Sequence, residues 1–436
     1  MTAATTTPSE RPLLAEEEIR EAALGWPRWL RWFIVALVIV LLLSIVQTLA
    51  DPDTSDLTSR GTWATTLRFA VPIMLAGLGG IFAERAGVIN IGLEGMMILG
   101  TWFGAYGALE FGPWWGVLFG IGGGAAGGLV HAIATVSFGV DHIISGVAIN
   151  IAAPGVTRFL SEEIFEPRGG GATQSPPVSG VGRFEVPILS GGDLGGWQTP
   201  DPLARIDSWD WWLVSDVAGI LDGFTTSLSW LTLIAFLLVP ASVFVLWRTR
   251  FGLRLRSAGE HPVAADSLGV PVYAMKYWAV IISGGLAGLG GVFLAIEQAT
   301  IYRQGQTQGR GFIGLATVIF GNWRPVGAAL GSLLFGFADA LQLRDANAIH
   351  ALLLLGAIGF GLAAARAGLL RRGQAAGLFL LGAGALAAWY LISETVPEEL
   401  PRVAPHIITL IVLVFATTRL RPPAADGMRY KRGQQV

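Results

Sequence analysis

Apolar runs of membrane-spanning length dominate the chain, separated by short polar breaks. A stretch of about 20 apolar residues crosses the roughly 30 Å hydrocarbon core as a helix. Such runs fall at 33–49, 67–83, 96–108, 114–135 and 144–160. After a long polar interval they resume at 229–247, 277–296, 312–320 and 326–343, and end at 351–365, 375–392 and 407–418. The runs at 96–108 and 312–320 are too short to cross alone. They are expected to extend into their Gly-rich flanks, or to form broken or re-entrant segments buried in the bundle. The pattern predicts an all-α polytopic membrane protein of about 12 passes.

The breaks divide the chain. Residues 1–29 form a polar N-terminal tail without the cationic start and cleavage region of a signal peptide, expected in the cytoplasm. Residues 30–160 make a first transmembrane region and 229–419 a second, which holds a polar loop at 248–276 and an apolar hairpin at 351–392. Between them, 161–228 is an extracytoplasmic loop region rich in Gly, Pro, Ser and Asp. It is long for a structureless loop, so part of it is expected to pack over the outer mouth of the bundle. Its Trp209, Trp211 and Trp212 suit a membrane surface. Residues 420–436 form a C-terminal tail. Basic residues cluster in alternate breaks: Arg85, then Arg248 to Lys276, then Arg324, then Arg366, Arg371 and Arg372, then 419–432. Asp51, Asp53, Asp56, Glu394, Glu398 and Glu399 lie in the others. The bias toward positive cytoplasmic loops places both ends in the cytoplasm.

Composition narrows the class. Charged residues are 14% of the chain and hydrophobic residues 53%, where a soluble domain carries about 25% charge. A net charge of −2 gives no attraction to nucleic acid. Cysteine is absent, which excludes disulfides and a thiol nucleophile, and the five histidines form no H-E-x-x-H motif. No GxxxxGK[ST] phosphate cradle occurs, and Gly288, Gly290 and Gly291 lack the βαβ context of a dinucleotide fingerprint. Neither enzymatic chemistry nor a directly bound cofactor or metal is expected.

A few polar residues interrupt the apolar runs. In Glu84 to Met97, ERAGVINIGLEGMM, Asn90 and Glu94 share one face if the stretch is helical. Burying an ionised Glu without a partner is costly, so Glu94 must find donors, become protonated or reach water. Capping of a broken helix and direct participation in a translocation path both fit. Asn150 and Asp339 invite the same two readings. Glycines recur every fourth residue at Gly120, Gly124, Gly128, at Gly284, Gly288 and at Gly327, Gly331, a spacing that lets helices approach closely. In the loop RTRFGLRLRSAGEHPVAADSLGVPVYAMK, Pro262 suits the first turn of a short helix and Gly269 its close. Val263, Ala264, Ala265 and Leu268 would give that helix a small apolar surface, flanked by Glu260, His261 and Asp266. It is either a handle for a cytoplasmic partner or a charged loop that fixes topology.

These segments carry a resemblance. FAERAGVINIGLEGMMILG (82–100), GLRLRSAGEHPVAADSLGVPV (252–272), SGGLAGLGGVFLAI (283–296) and GRGFIGLATVIFGNWRPVGAALGSLLFGFADALQ (309–342) resemble the permease subunits of bacterial ABC importers. The branch is that of ribose-type and branched-chain amino acid permeases, and the nucleoside or simple-sugar subgroup is nearest. The resemblance implies a permease bundle in the bacterial cytoplasmic membrane, a cytoplasmic ABC ATPase dimer that binds ATP and Mg²⁺, a second permease subunit, and an extracytoplasmic solute-binding lipoprotein. It implies that 260–269 is the element facing the ATPase. Nucleosides are favoured over simple sugars and branched-chain amino acids. The alternative of another class is an ion-coupled secondary transporter, which would usually show inverted repeats; none is evident. The hairpin at 351–392 departs from the subgroup's pattern and is expected at the periphery.

Overall fold

The computed structural model describes residues 28–50, 57–343, 346–369, 371–393 and 420–432. Each apolar run inside them is helical; the run at 407–418 lies outside the described residues. The first half comprises α1 (Arg28–Ala50), α2 (Arg60–Arg85), α3 (Leu93–Phe111), α4 (Pro113–Ala132) and α5 (His142–Ile164). The run at 96–108 does extend into its flanks, giving the 19-residue α3. Gly112 at φ +96° and Pro113 at the first helical position stop α3 and start α4, which makes an antiparallel hairpin.

The interval 161–228 contains two short helices, α6 (Pro202–Asp207) and α7 (Val214–Thr225), and two-residue strands. Strand β1 (Arg183–Phe184) pairs antiparallel with β4 (Leu228–Ser229), and β2 (Asp193–Leu194) with β3 (Trp197–Gln198). Part of the interval packs over the 300–304 loop: Ser175 N–H donates to Tyr302 O at 3.0 Å, and Gln304 N–H to Thr173 O at 2.8 Å.

The second half begins with α8 (Trp230–Arg248), α9 (Arg250–Glu260), α10 (Pro262–Ser267) and α11 (Val272–Val292). It continues with α12 (Arg310–Phe320), α13 (Pro325–Leu341), α14 (Ala346–Leu369) and α15 (Gly373–Ile392). Among the described residues, seven helices are long and apolar enough to cross a membrane. At 11 and 17 residues, α12 and α13 fall short of that length and join through a tight turn. The inserted hairpin lies at the edge. Helix α14 packs on α1 and α15, and no residue of α15 is buried, which leaves Leu378, Leu381 and Leu391 for lipid.

The centre is α2, buried along nearly its whole length and packed chiefly on α11, α12 and α13. Apolar contact alone drives little association in lipid, so close backbone approach does the work. The glycine stripes of α4 and α11 face each other. A Cβ on Gly124 would lie 2.2 Å from Gly284 O, and one on Gly288 would lie 2.4 Å from Gly120 O. Helix α3 joins them through Gly100, whose Cβ would meet Gly288 O at 2.3 Å. No side chain fits there without moving a helix. Gly288→Val is therefore expected to cost more than the about 1–3 kcal/mol typical of overpacking and to lower the thermal midpoint of the detergent-solubilised protein by several degrees. Gly122→Ala, on the open side of α4 with nothing within 4 Å, should leave the midpoint in place.

Candidate functional site

Between α2 and α3 the backbone leaves helical geometry, although it remains buried. Buried peptide groups need partners, and side chains from three helices supply them. Lys276 Nζ donates to Gly87 O at 3.1 Å. Ile89 N–H donates to His142 Nδ1 at 3.3 Å, while His131 Nε2 bonds Ile89 O at 3.1 Å. Asn150 spans the point where the helix restarts: its Nδ2 donates to Ile91 O at 2.9 Å and its Oδ1 accepts from Gly95 N–H at 2.7 Å. Asn90 turns away from Glu94 and donates to Ser283 Oγ at 2.9 Å, so the two do not act as a helical pair. The stretch 86–92 is not helical, and the face-sharing expectation fails for that reason.

Glu94 reaches the other broken element. Its Oε1 accepts from Thr307 Oγ1 at 2.6 Å and Gly309 N–H at 2.9 Å, and its Oε2 from Gly311 N–H at 2.7 Å. These donors are the opening of α12, whose first-turn N–H groups have no partner within the helix. Helix α12 descends alongside α2: a Cβ on Gly77 would meet Thr317, one on Gly80 would meet Val318, and Trp323 bonds Glu84. Helix α3 runs the opposite way, with Gly100 and Gly104 passing Gly288 and Val292 of α11. Two helix N-termini therefore meet at one carboxylate inside the bundle. Each end carries about half a positive charge, which Glu94 offsets. Asp339 completes the group from α13, 3.9 Å from the Arg310 guanidinium and hydrogen-bonded by Gln342 at 3.2 Å.

At the lower end of α12, Arg85 donates to Trp323 O from Nε at 3.1 Å and Nη2 at 3.0 Å, and it lies 3.8 Å from Glu260. The 260–269 stretch forms the expected short helix, α10, with Pro262 at its first position and Gly269 at φ +80°. Its orientation corrects one expectation. Ala265 is only 4% exposed and packs with Ala258, Val272 and Met275, against Tyr430. It is a core residue of this corner and offers no surface to a partner. Glu260 and Asp266 are also engaged within the chain, Glu260 with Arg85 and Ala424 N–H, and Asp266 with Arg432 at 3.5 Å. The outward face comprises His261, Ala264 and Leu268, the last 85% exposed.

Residues 420–432 behave as a strap rather than a free tail. Arg421 N–H donates to Asn322 Oδ1 at 2.8 Å, Ala425 N–H to Gly259 O at 2.9 Å, and the Tyr430 ring packs at a tilt against Tyr273. The strap thus ties the α12–α13 turn to the α9–α10 corner. Burial pushes the Asp426 carboxyl up to about 7, with Lys276, the Gly427 peptide and Arg85 opposing.

Sequence reasoning missed His131, His142, Lys276, Thr307 and Arg310. The two histidines were unremarkable because they match no metal spacing, and Lys276 was grouped with surface charge although it is buried. Their common signal is a polar side chain within or beside an apolar run.

Glu94→Leu would leave three donors without their acceptor, at about 1–3 kcal/mol for each buried unsatisfied group. It is expected to abolish most folded protein, measured as monodisperse yield in detergent. Glu94→Gln, which keeps a single acceptor oxygen, should retain an intermediate yield. Equal yields for the two variants would rule out the capping role.

Residues 62–357 match the family described as "Branched-chain amino acid transport system / permease component". A guanosine ABC transporter permease of Bacillus subtilis is 33% identical over 85% of this chain and 96% of its own length. A nucleoside ABC transporter permease of Lactococcus lactis is 31% identical over 84% of this chain and 95% of its own. A putative glucose ABC transporter permease of Haloferax volcanii is 36% identical over 66% of this chain and 78% of its own. No solved structure gives a significant match. The all-α membrane bundle and these matches together make the chain a member of the branched-chain amino acid transport system permease family, a transport subunit and not an enzyme.

Proposed function

We propose that this chain is one of two permease subunits in an ATP-driven importer that carries nucleosides across the bacterial cytoplasmic membrane. The observation that carries this reading is the likeness, over most of both chains, to relatives named for guanosine and nucleoside transport. The second permease is a different chain in this reading. Two nucleoside permeases of one Lactococcus lactis strain both match the sequence, which favours such pairing. The glucose relative supports a simple sugar as the second reading. An extracytoplasmic lipoprotein delivers the solute, and a cytoplasmic ATPase dimer holds the ATP and Mg²⁺.

In this reading both termini, the α9–α10 corner and the strap are cytoplasmic, where the basic residues concentrate. The ATPase docks on His261, Ala264 and Leu268, with the exposed Leu253 of the preceding helix α9 as a further contact. Leu253 and Leu268 are 61% and 85% exposed, and large apolar side chains projecting into water mark a contact surface. Alternating access follows from a shift between states that the ATPase binds differently. The broken helices α3 and α12 supply joints at which such a shift can act, because unwound buried backbone changes conformation without stripping a whole helical ladder.

Reconstitution with the ATPase, second permease and lipoprotein tests the function. Guanosine uptake that requires ATP is expected, with leucine not transported; uptake driven by a proton or sodium gradient without ATPase would overturn the reading. For the docking face, Leu268→Arg should lower ATPase association about tenfold or more, since a central buried contact contributes 1–2 kcal/mol or above. Pull-down and solute-stimulated ATP hydrolysis measure this, and Leu378→Ala on the lipid-facing hairpin serves as the control. Unchanged association of Leu268→Arg would move the docking surface elsewhere.

A further inference from the structure

A cavity of about 450 Å³ adjoins the N-terminus of α12, within the size range of small-molecule sites. Its floor is Arg310, whose guanidinium stacks over Phe69 at 5.4 Å and faces Asp339. Its walls come from Leu294 and Gln298 at the end of α11, the 303–308 loop, and Gln342 beyond α13. Arg310 is 7% exposed, and its Nε has no hydrogen-bond partner among the described residues. Two further cavity-lining groups share that condition, Gln298 Oε1 and Gln306 Nε2. Buried donors and acceptors without partners are costly, and here three of them belong to the lining of one cavity.

The chemistry of the lining restricts what fits. Arg310 and Asp339 largely offset one another at the floor, and the remaining charged residue of the lining, Arg303, is exposed in the 303–308 loop. Five glutamines line the cavity, at 298, 304, 306, 308 and 342. Each amide offers both donors and an acceptor, which suits a neutral solute that carries both kinds of group around its edge. Phe69 adds one aromatic side chain next to the cationic fork. A branched-chain amino acid would need separate sites for two opposite charges and an apolar pocket, yet the apolar lining is limited to Phe69, Leu294, Ala299 and Leu343.

We infer that this cavity is a solute-binding site on the permease itself, built for a neutral heteroaromatic glycoside, with Gln298, Gln306 and Arg310 as its hydrogen-bonding residues. The inference deepens the nucleoside-importer reading and rests on it. Because Glu94 clamps the same helix end that carries Arg310, occupancy of the cavity and the state of the junction are mechanically linked.

The chain has no cysteine, so a single Gln304→Cys reports on the cavity. The assembled complex, in lipid nanodiscs without the solute-binding lipoprotein, is labelled with a membrane-impermeant maleimide and this chain is read by mass. Saturating guanosine should slow labelling at least about fivefold, while leucine should not. Gln298→Leu, which removes one hydrogen-bonding group of about 1–1.5 kcal/mol, should raise the half-protecting guanosine concentration about five- to tenfold. Asp339→Asn is run beside it as a second, shape-preserving variant. It keeps the shape, unbalances Arg310, and should bring weak protection by an anionic nucleotide. Absence of guanosine protection, or equal protection by leucine, overturns the inference. ATP-dependent guanosine uptake is measured on the same complex. Uptake without protection sinks the cavity assignment alone, and absence of ATP-dependent uptake sinks the importer reading and the cavity with it.

Discussion

The architecture depends on a carboxylate that holds two helix ends together inside a membrane. Lipid cannot solvate free peptide groups, so any interruption of a buried helix must find donors and acceptors within the protein. Here two interruptions share one solution. The start of α3 contributes Glu94, and the start of α12 contributes Gly309 N–H, Gly311 N–H and the Thr307 hydroxyl that it receives. Without this joint, α12 would present unsatisfied N–H groups at its buried end, and α3 would carry an acidic side chain with nothing to bind.

Everything below the joint is arranged to keep the unwound 86–92 stretch in place. Lys276, His131, His142 and Asn150 reach it from α11, α4 and α5, so movement of any of those helices is felt by this strand of backbone. Arg85 connects its beginning to the α12–α13 turn through Trp323 and to the α9–α10 corner through Glu260. The 420–432 strap doubles that connection through Asn322 and Gly259. A push on the outward face of α10 therefore has a continuous set of contacts leading to the lower end of α12. Helix α11, held to α2 and to α4 by close glycine contacts, gives the moving parts a frame.

Much of this was legible in the sequence, for identifiable reasons. Helices were readable because spanning demands long apolar runs, and the brevity of 312–320 correctly flagged a broken element. Glu94 and Asn150 stood out because a charge or amide in an apolar context needs a partner. The partners themselves were hidden, since Thr307 lies 213 residues from Glu94 and nothing local marks the pairing. The face of α10 was misread because six residues are too few for periodicity to fix orientation, and Ala265 turns inward against Tyr430 of the distant strap. The strap escaped notice because it has no apolar run. Its anchors are backbone groups and a tyrosine packed against Tyr273.

The central claim is that the Glu94 joint carries motion from the ATPase side to the upper end of α12. The direct measurement is an electron–electron distance between spin labels at the exposed Arg254 of α9 and at Gln304 in the assembled complex, with and without ATP, in otherwise wild-type and Glu94→Gln backgrounds. Provided both complexes assemble and hydrolyse ATP, the account predicts an ATP-dependent distance change that Glu94→Gln weakens or removes. An undiminished change in Glu94→Gln would contradict it and place the transmission path outside the α3–α12 junction.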